Sequence, residues 1–159
     1  MTRTIILTRT EQQLAQYVAK QRHIYNRENN IEDGKIGPQS EYITDLNGIG
    51  GELAFCKLVN IYPDITTDQG QPAFDCKIAN KKIDVKTTTW NTGHLLVKQD
   101  VKSKCDFYVL MIGTFPHYRY AGWASAREVF NNNNLKDFGY GVTHALRQSE
   151  LHHSMPKKG

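Results

Sequence analysis

Apolar and polar positions alternate with period two over Phe74-Asp75-Cys76-Lys77-Ile78 and again over Ile83-Asp84-Val85-Lys86. That period marks strands, and the short polar link between the two runs marks a β-hairpin. With Asn80 and Lys81 as the turn, Ile78 falls opposite Ile83, Cys76 opposite Val85 and Asp75 opposite Lys86. Phe74, Cys76, Ile78, Ile83 and Val85 then share one apolar face, and Asp75, Lys77, Asp84 and Lys86 share the other.

The rest of the pattern divides into helices and strands. A helix is expected from about Thr8 or Thr10 to Arg27: Thr8 and Glu11 fit a capping box. Leu14, Tyr17, Val18, Gln21, Ile24 and Tyr25 recur at helical spacing, which leaves Arg22, His23 and Arg27 toward solvent. Asn29 to Ser40 carries Asp33-Gly34 and Gly37-Pro38 and reads as a loop. Gly48-Ile49-Gly50-Gly51 reads as the lead-in to an apolar helix ending near Asn60, with Glu52 in its first turn where the helix dipole favours a carboxylate. It lacks the phosphate-cradling G-x-x-x-x-G-K-[ST] pattern. Pro63 opens a loop or short strand before the hairpin. Thr87 to Trp90 prolongs the second hairpin strand, Leu95-Leu96-Val97 forms another, and Asp106 to Gly113 has the unbroken apolar character of a central strand. Tyr118 to Ser125 is its neighbour, Ser125 and Glu128 form a second capping box, and Asn131 to Asn134 ends that helix. Phe138 to Gly141 is a turn, and Val142, His144 and Leu146 alternate as a late strand. Residues 1–151 are expected to form one domain, with a basic polar tail at 152–159 that frays.

The polar face of the hairpin carries two carboxylates and two lysines, poor material for a core and suitable material for a divalent metal beside a phosphate. Mg²⁺ takes hard oxygen ligands and keeps several waters, so one or two carboxylates with a phosphate oxygen suffice. In Asp84-Val85-Lys86 the carboxylate and ammonium stand two residues apart and point the same way along a strand. The bland alternative is an exposed hairpin with cross-strand ion pairs, each contributing about 0.2–1 kcal/mol.

Glu52, Asp75, Asp84 and Lys86, in that order, resemble the PD-(D/E)xK nuclease superfamily. In that family a helix carries a Glu, a following strand an Asp, and the next strand (Asp/Glu)-x-Lys. Gly48-Ile49-Gly50-Gly51-Glu52-Leu53-Ala54 is similar to the G-x-x-G-E-x-A of its small phage-type members. The likeness covers roughly residues 45 to 128, and Phe74 stands where the family often has Pro. It implies an α/β, restriction-endonuclease-like fold, a mixed central β-sheet flanked by helices. It implies a Mg²⁺- or Mn²⁺-dependent endonuclease that hydrolyses phosphodiester bonds in DNA. Asp75 and Asp84 would bind the metal, Glu52 a metal or its water, and Lys86 would position or activate the attacking water. Two alternatives stand beside it: a Holliday-junction or branched-DNA resolvase of the same fold, usually a homodimer, and a non-catalytic nucleic-acid-binding protein.

Charge and composition add to this picture. The chain has 159 residues and a formal charge of +4, and Lys77 to Lys104 holds seven lysines against only Asp84 and Asp100. Such a stretch would attract a polyanion, and Lys77, Lys82, Lys98 and Lys102 are candidate nucleic-acid contacts; lysines that merely guard strand edges would look the same. Cys56, Cys76 and Cys105 lie in apolar segments without a C-x-x-C, as expected of reduced core residues in a cytoplasmic protein of phage or bacterial origin. No signal peptide or membrane span is expected. The six histidines show no zinc spacing; His94 and His117, near strand ends, are secondary candidates. Trp90, Trp123 and Tyr118 could stack on bases, although sheet aromatics more often serve a core.

Overall fold

Thr8 opens the first helix of the computed structural model, α1 (Arg9–Glu28). Its Oγ1 accepts from Glu11 N at 3.2 Å while Glu11 Oε1 accepts from Thr8 N at 2.7 Å, closing the expected capping box. The structure describes residues 3–29, 41–67, 75–99, 101 and 105–156. Phe74, Lys102, Lys104, most of the expected loop before Ser40 and the last three residues of the tail lie outside them.

The second helix, α2, runs Glu41–Val59 and starts well before the glycines. Gly48, Gly50 and Gly51 are therefore mid-helix, and the expectation of a Gly-rich lead-in with Glu52 in a first turn is corrected. A glycine inside a helix costs about 1 kcal/mol against alanine. What offsets it is close approach: a Cβ on Gly50 would overlap the Tyr118 hydroxyl, and one on Gly51 would overlap Thr87 Oγ1. The glycines let the helix lie directly on the sheet, which is why the pattern occurs away from a helix end.

That sheet has five strands in the order β1 (Thr4–Ile6), β6 (His117–Ser125), β5 (Phe107–Thr114), β3 (Lys81–Thr88), β2 (Cys76–Ile78). Only β3 and β5 pair in parallel, so the sheet is mixed. Its alternation builds two cores. Ile83 and Val85 of β3, with Val109 and Met111 of β5, pack against Val18 and Ala19 of α1 and Leu53 and Phe55 of α2. Tyr108, Leu110 and Ile112 face the other way, onto Leu95 and Val97 of β4 (Leu95–Lys98), Leu146 of β8 (Val142–Leu146) and Val129 of α3 (Ala126–Val129). β4 and β8 form a second, antiparallel sheet with β7 (Leu135–Asp137). The expected α/β class and mixed sheet flanked by helices are both seen. All three cysteines are buried and unbridged, and among the described residues no helix is long and apolar enough to cross a membrane.

Several local expectations are corrected. The hairpin turns on Ala79-Asn80, with Ala79 at φ 53°, so Cys76 pairs with Ile83 and Ile78 with Lys81. The slip is two positions in register, an even number, so every described side chain of the hairpin keeps its expected face. β3 stops at Thr88, before Trp90, and 61–67 holds no strand. Asn132–Asn134 is a short 3₁₀ helix. β8 does not alternate: Thr143 to Leu146 are all buried, because it is the middle strand of its sheet. The tail does not fray at its start. His152 exchanges two backbone hydrogen bonds with Trp123 at 2.8 and 2.9 Å, and Tyr120 Oη donates to Ser154 O at 2.7 Å.

α1 also turns differently from expectation. Its buried residues are Ala15, Val18, Ala19, Arg22 and Asn26, while Tyr17 is 61% and Ile24 39% exposed. Arg22, expected outside, is one of the most deeply buried side chains, at 2% exposure.

Candidate functional site

The two flanks of β3 are different. On one side β5 pairs with it from Ile83 to Thr88; on the other β2 pairs only as far as Ile83. Asp75, just before β2, takes over where the ladder stops. Its N–H donates to Ile83 O at 2.9 Å, and its Oδ2 accepts from Val85 N at 2.7 Å. A carboxylate thus stands where a strand carbonyl would, and its position is fixed by the backbone of the strand carrying Asp84 and Lys86.

Asp84 and Lys86 point to the same face of β3, and Lys86 Nζ lies 3.0 Å from Asp84 Oδ2. Glu52 comes from α2, held close by Gly50 and Gly51, and its carboxyl lies near enough to that of Asp75 for the two to act on each other's charge. The structure therefore brings Glu52, Asp75, Asp84 and Lys86 into one electrostatic cluster. Glu52 and Asp84 are largely covered, with side chains 15% and 19% exposed, and Lys86 is more open at 39%.

Crowding acid groups away from water shifts their protonation. Burial pushes the Glu52 carboxyl up to about 7; Arg22 and the Asp75 hydrogen bond oppose that rise and Asp84 adds to it. Asp75 is raised well above the ordinary aspartate range, by burial first and then by Glu52 and Asp84, against the pull of the Val85 N–H. For Lys86, burial works against the ammonium, but Asp84 and then Asp75 outweigh it, so its pKa is raised and it stays charged at neutral pH.

Sequence reasoning missed Arg22. From α1 it reaches Glu52 Oε2 with Nη1 at 3.6 Å, donates from Nε to Thr66 O at 3.0 Å, and donates from Nη2 to Asp64 O at 2.8 Å. It ties the first helix, the middle of the second and the segment leading toward the hairpin to one point behind the acidic cluster. The signal was a stripe at 15, 19, 22 and 26, made of two alanines and two polar residues rather than of large apolar ones.

The remaining candidates are dispersed. Lys77 and Lys82 are cross-strand partners and exposed, on the same face of the hairpin as Asp84. Lys98 is exposed on β4, in the second sheet. His117 stands opposite Ile6, and the His94 ring lies 5.3 Å from that of Phe138. Tyr118 is buried; Trp123 is packed between Phe107 and His152, with ring separations of 4.9 and 4.5 Å.

The donor set suits a hard divalent cation. Among the described residues no three acidic, histidine or cysteine side chains already close around a metal position; the carboxylates are turned instead to Arg22, Lys86 and each other. Mg²⁺ needs only one or two of them, with waters and phosphate completing the shell, and a cation there would favour the ionised carboxylates that burial, first, and neighbouring acid groups now oppose. Compared with protein-family models, curated proteins and solved structures, the chain matches none of them.

Proposed function

We propose that this chain is a Mg²⁺- or Mn²⁺-dependent endonuclease of the PD-(D/E)xK type, hydrolysing phosphodiester bonds in DNA. One observation carries the reading: three carboxyl groups and a lysine, drawn from α2, the residue before β2, and β3, meet at the flank of β3 that β2 leaves unpaired. Isolated surface ion pairs do not need a buried helix to deliver a glutamate to them.

Asp75, Asp84 and Glu52 would hold the metal, which supplies charge neutralisation at phosphorus and a more acidic water. Asp75 is held against β3 by the Val85 N–H, which fixes where it would meet a metal. Asp84 is now paired with Lys86; once its carboxylate is engaged elsewhere, the Lys86 ammonium is released to donate to a phosphate oxygen or to hold the attacking water. Glu52, with one oxygen toward Arg22, would keep the other for the metal or for a water on it.

The test is nicking of supercoiled plasmid by the purified chain in Mg²⁺ and in EDTA. Nicking only with the metal supports an enzyme; binding without nicking in either buffer would show the non-catalytic reading to be right. Cleavage of a four-way junction in preference to linear duplex would turn the reading to a resolvase.

A further inference from the structure

We propose that Trp90, with Phe138 and Tyr140, forms a stacking platform for unpaired bases beside the proposed cleavage site. The inference rests on the nucleic-acid reading above and names its substrate class: DNA with a single-stranded stretch next to the cut.

Trp90 is 72%, Tyr140 62% and Phe138 46% exposed. The other tryptophan, Trp123, and the tyrosines at 108 and 118 are packed into the structure; Tyr17, Tyr42 and Tyr62 are exposed too, but on or beside the two long helices rather than on these loops. The three rings occupy two neighbouring loops, 89–94 between β3 and β4 and 138–141 between β7 and β8. The loops touch where the His94 ring meets Phe138 at 5.3 Å.

Position connects this surface to the candidate site. The first loop folds back on β3: Gly93 N donates to Trp90 O at 2.9 Å, and a Cβ on Gly93 would run into the Thr88 side chain. By strand alternation Thr88 faces the same way as Asp84 and Lys86. Trp90 follows Lys86 by four residues, a reach of at most ~14 Å. A strand whose phosphate lies at Lys86 would therefore bring its next few nucleotides to the rings.

Charge favours the same occupant. Neither 89–94 nor 138–141 contains an acidic residue; Asp137, just before the second loop, spends one carboxylate oxygen within it, accepting from Gly139 N at 2.7 Å. The Arg119 guanidinium is anchored on the first loop, donating to Asn91 O at 2.7 Å and to Asn91 Oδ1 at 3.0 Å. Aromatic faces beside fixed cations are how single strands are held without base readout, whereas paired bases offer no free face to stack on.

The experiment titrates the full chain, in EDTA to prevent cleavage and at one fixed salt concentration, with oligothymidylate and with a hairpin duplex of equal phosphate count. Wild type is expected to bind oligothymidylate with quenching of tryptophan emission. Trp90→Ala should weaken that binding roughly tenfold or more and remove the quenching; Trp90→Phe should retain most of the affinity, and duplex binding should change little. Tyr140→Ala should weaken oligothymidylate in the same direction. If the wild type binds both nucleic acids and neither alanine variant alters the oligothymidylate affinity, the platform is wrong while the nucleic-acid reading survives. If the wild type binds neither, that reading falls and the platform with it.

Discussion

Arg22 Nη1 stands 3.6 Å from Glu52 Oε2, linking the first helix to the middle of the second behind the acidic cluster. The guanidinium is also held by two backbone carbonyls and is almost wholly buried. Removing one partner of a buried pair strands the other and costs about 3–5 kcal/mol. Arg22→Ala is therefore expected to lower stability by that order in urea unfolding at pH 7.5. Glu52→Gln in the same background should recover part of the loss, since no orphaned carboxylate then remains. A change below about 0.5 kcal/mol, the size of an ordinary surface substitution, would mean that the contact is incidental.

Metal-free stability should fall as pH rises through the range between an ordinary glutamate and about 7. Glu52 is raised to about 7 when folded, and Asp75 is raised too. The folded chain therefore holds protons that the unfolded chain releases, and by linkage stability declines with pH across that window. Glu52 alone accounts for up to about 3 kcal/mol between pH 4.5 and 7.5. Unfolding free energies of wild type and Glu52→Gln, measured from pH 4.5 to 8, should converge at the acidic end and separate at the alkaline end. Parallel curves would rule the shift out.

The glycines of α2 should behave in opposite ways. Gly48 has open space around it and Gly51 has Thr87 against it. Gly48→Ala is expected to stabilise by about 0.5–1 kcal/mol through helix propensity. Gly51→Ala should destabilise by about 1–3 kcal/mol, because α2 must lift off β3, and it should reduce any cleavage by moving Glu52. Thermal melts of the two single variants decide the matter; the same sign for both would refute the close-approach account.

The basic stretch should govern the salt dependence of DNA binding. Each neutralised phosphate adds about 0.9 to the slope of log affinity against log salt. Lys98→Glu with Lys102→Glu should therefore weaken binding to all sequences alike and flatten the slope by about 2, since phosphate contacts carry no sequence information. An unchanged slope would return these lysines to the role of solvated strand edges.

What could be read from the chain divides along physical lines. The hairpin's faces were legible because strand alternation has period two and survives an even slip of register. Thr8 and Ser125 were legible because a capping box is a local exchange of hydrogen bonds. The start of α2 was not, because mid-helix glycines look like a helix boundary until the Thr87 and Tyr118 side chains that require them are in place. Arg22 was hidden for a related reason. Its burial depends on carbonyls at Asp64 and Thr66, more than forty residues away, and no local rule predicts a buried arginine. β1 and β7, at three residues each, are too short for any periodicity to mark them.

The central claim, that Glu52, Asp75, Asp84 and Lys86 form one metal-dependent cleavage site, is tested most directly by plasmid nicking with Asp84→Ala. Asp84→Ala takes from Lys86 its 3.0 Å partner, but it also removes one of the crowded acid groups and so relieves repulsion on Glu52 and Asp75; the two effects oppose, and the net change in stability should be small. The account predicts a folded variant, by circular dichroism and an unchanged melting profile in EDTA, that nicks no plasmid in Mg²⁺ while the wild type does. Full nicking by folded Asp84→Ala would contradict it.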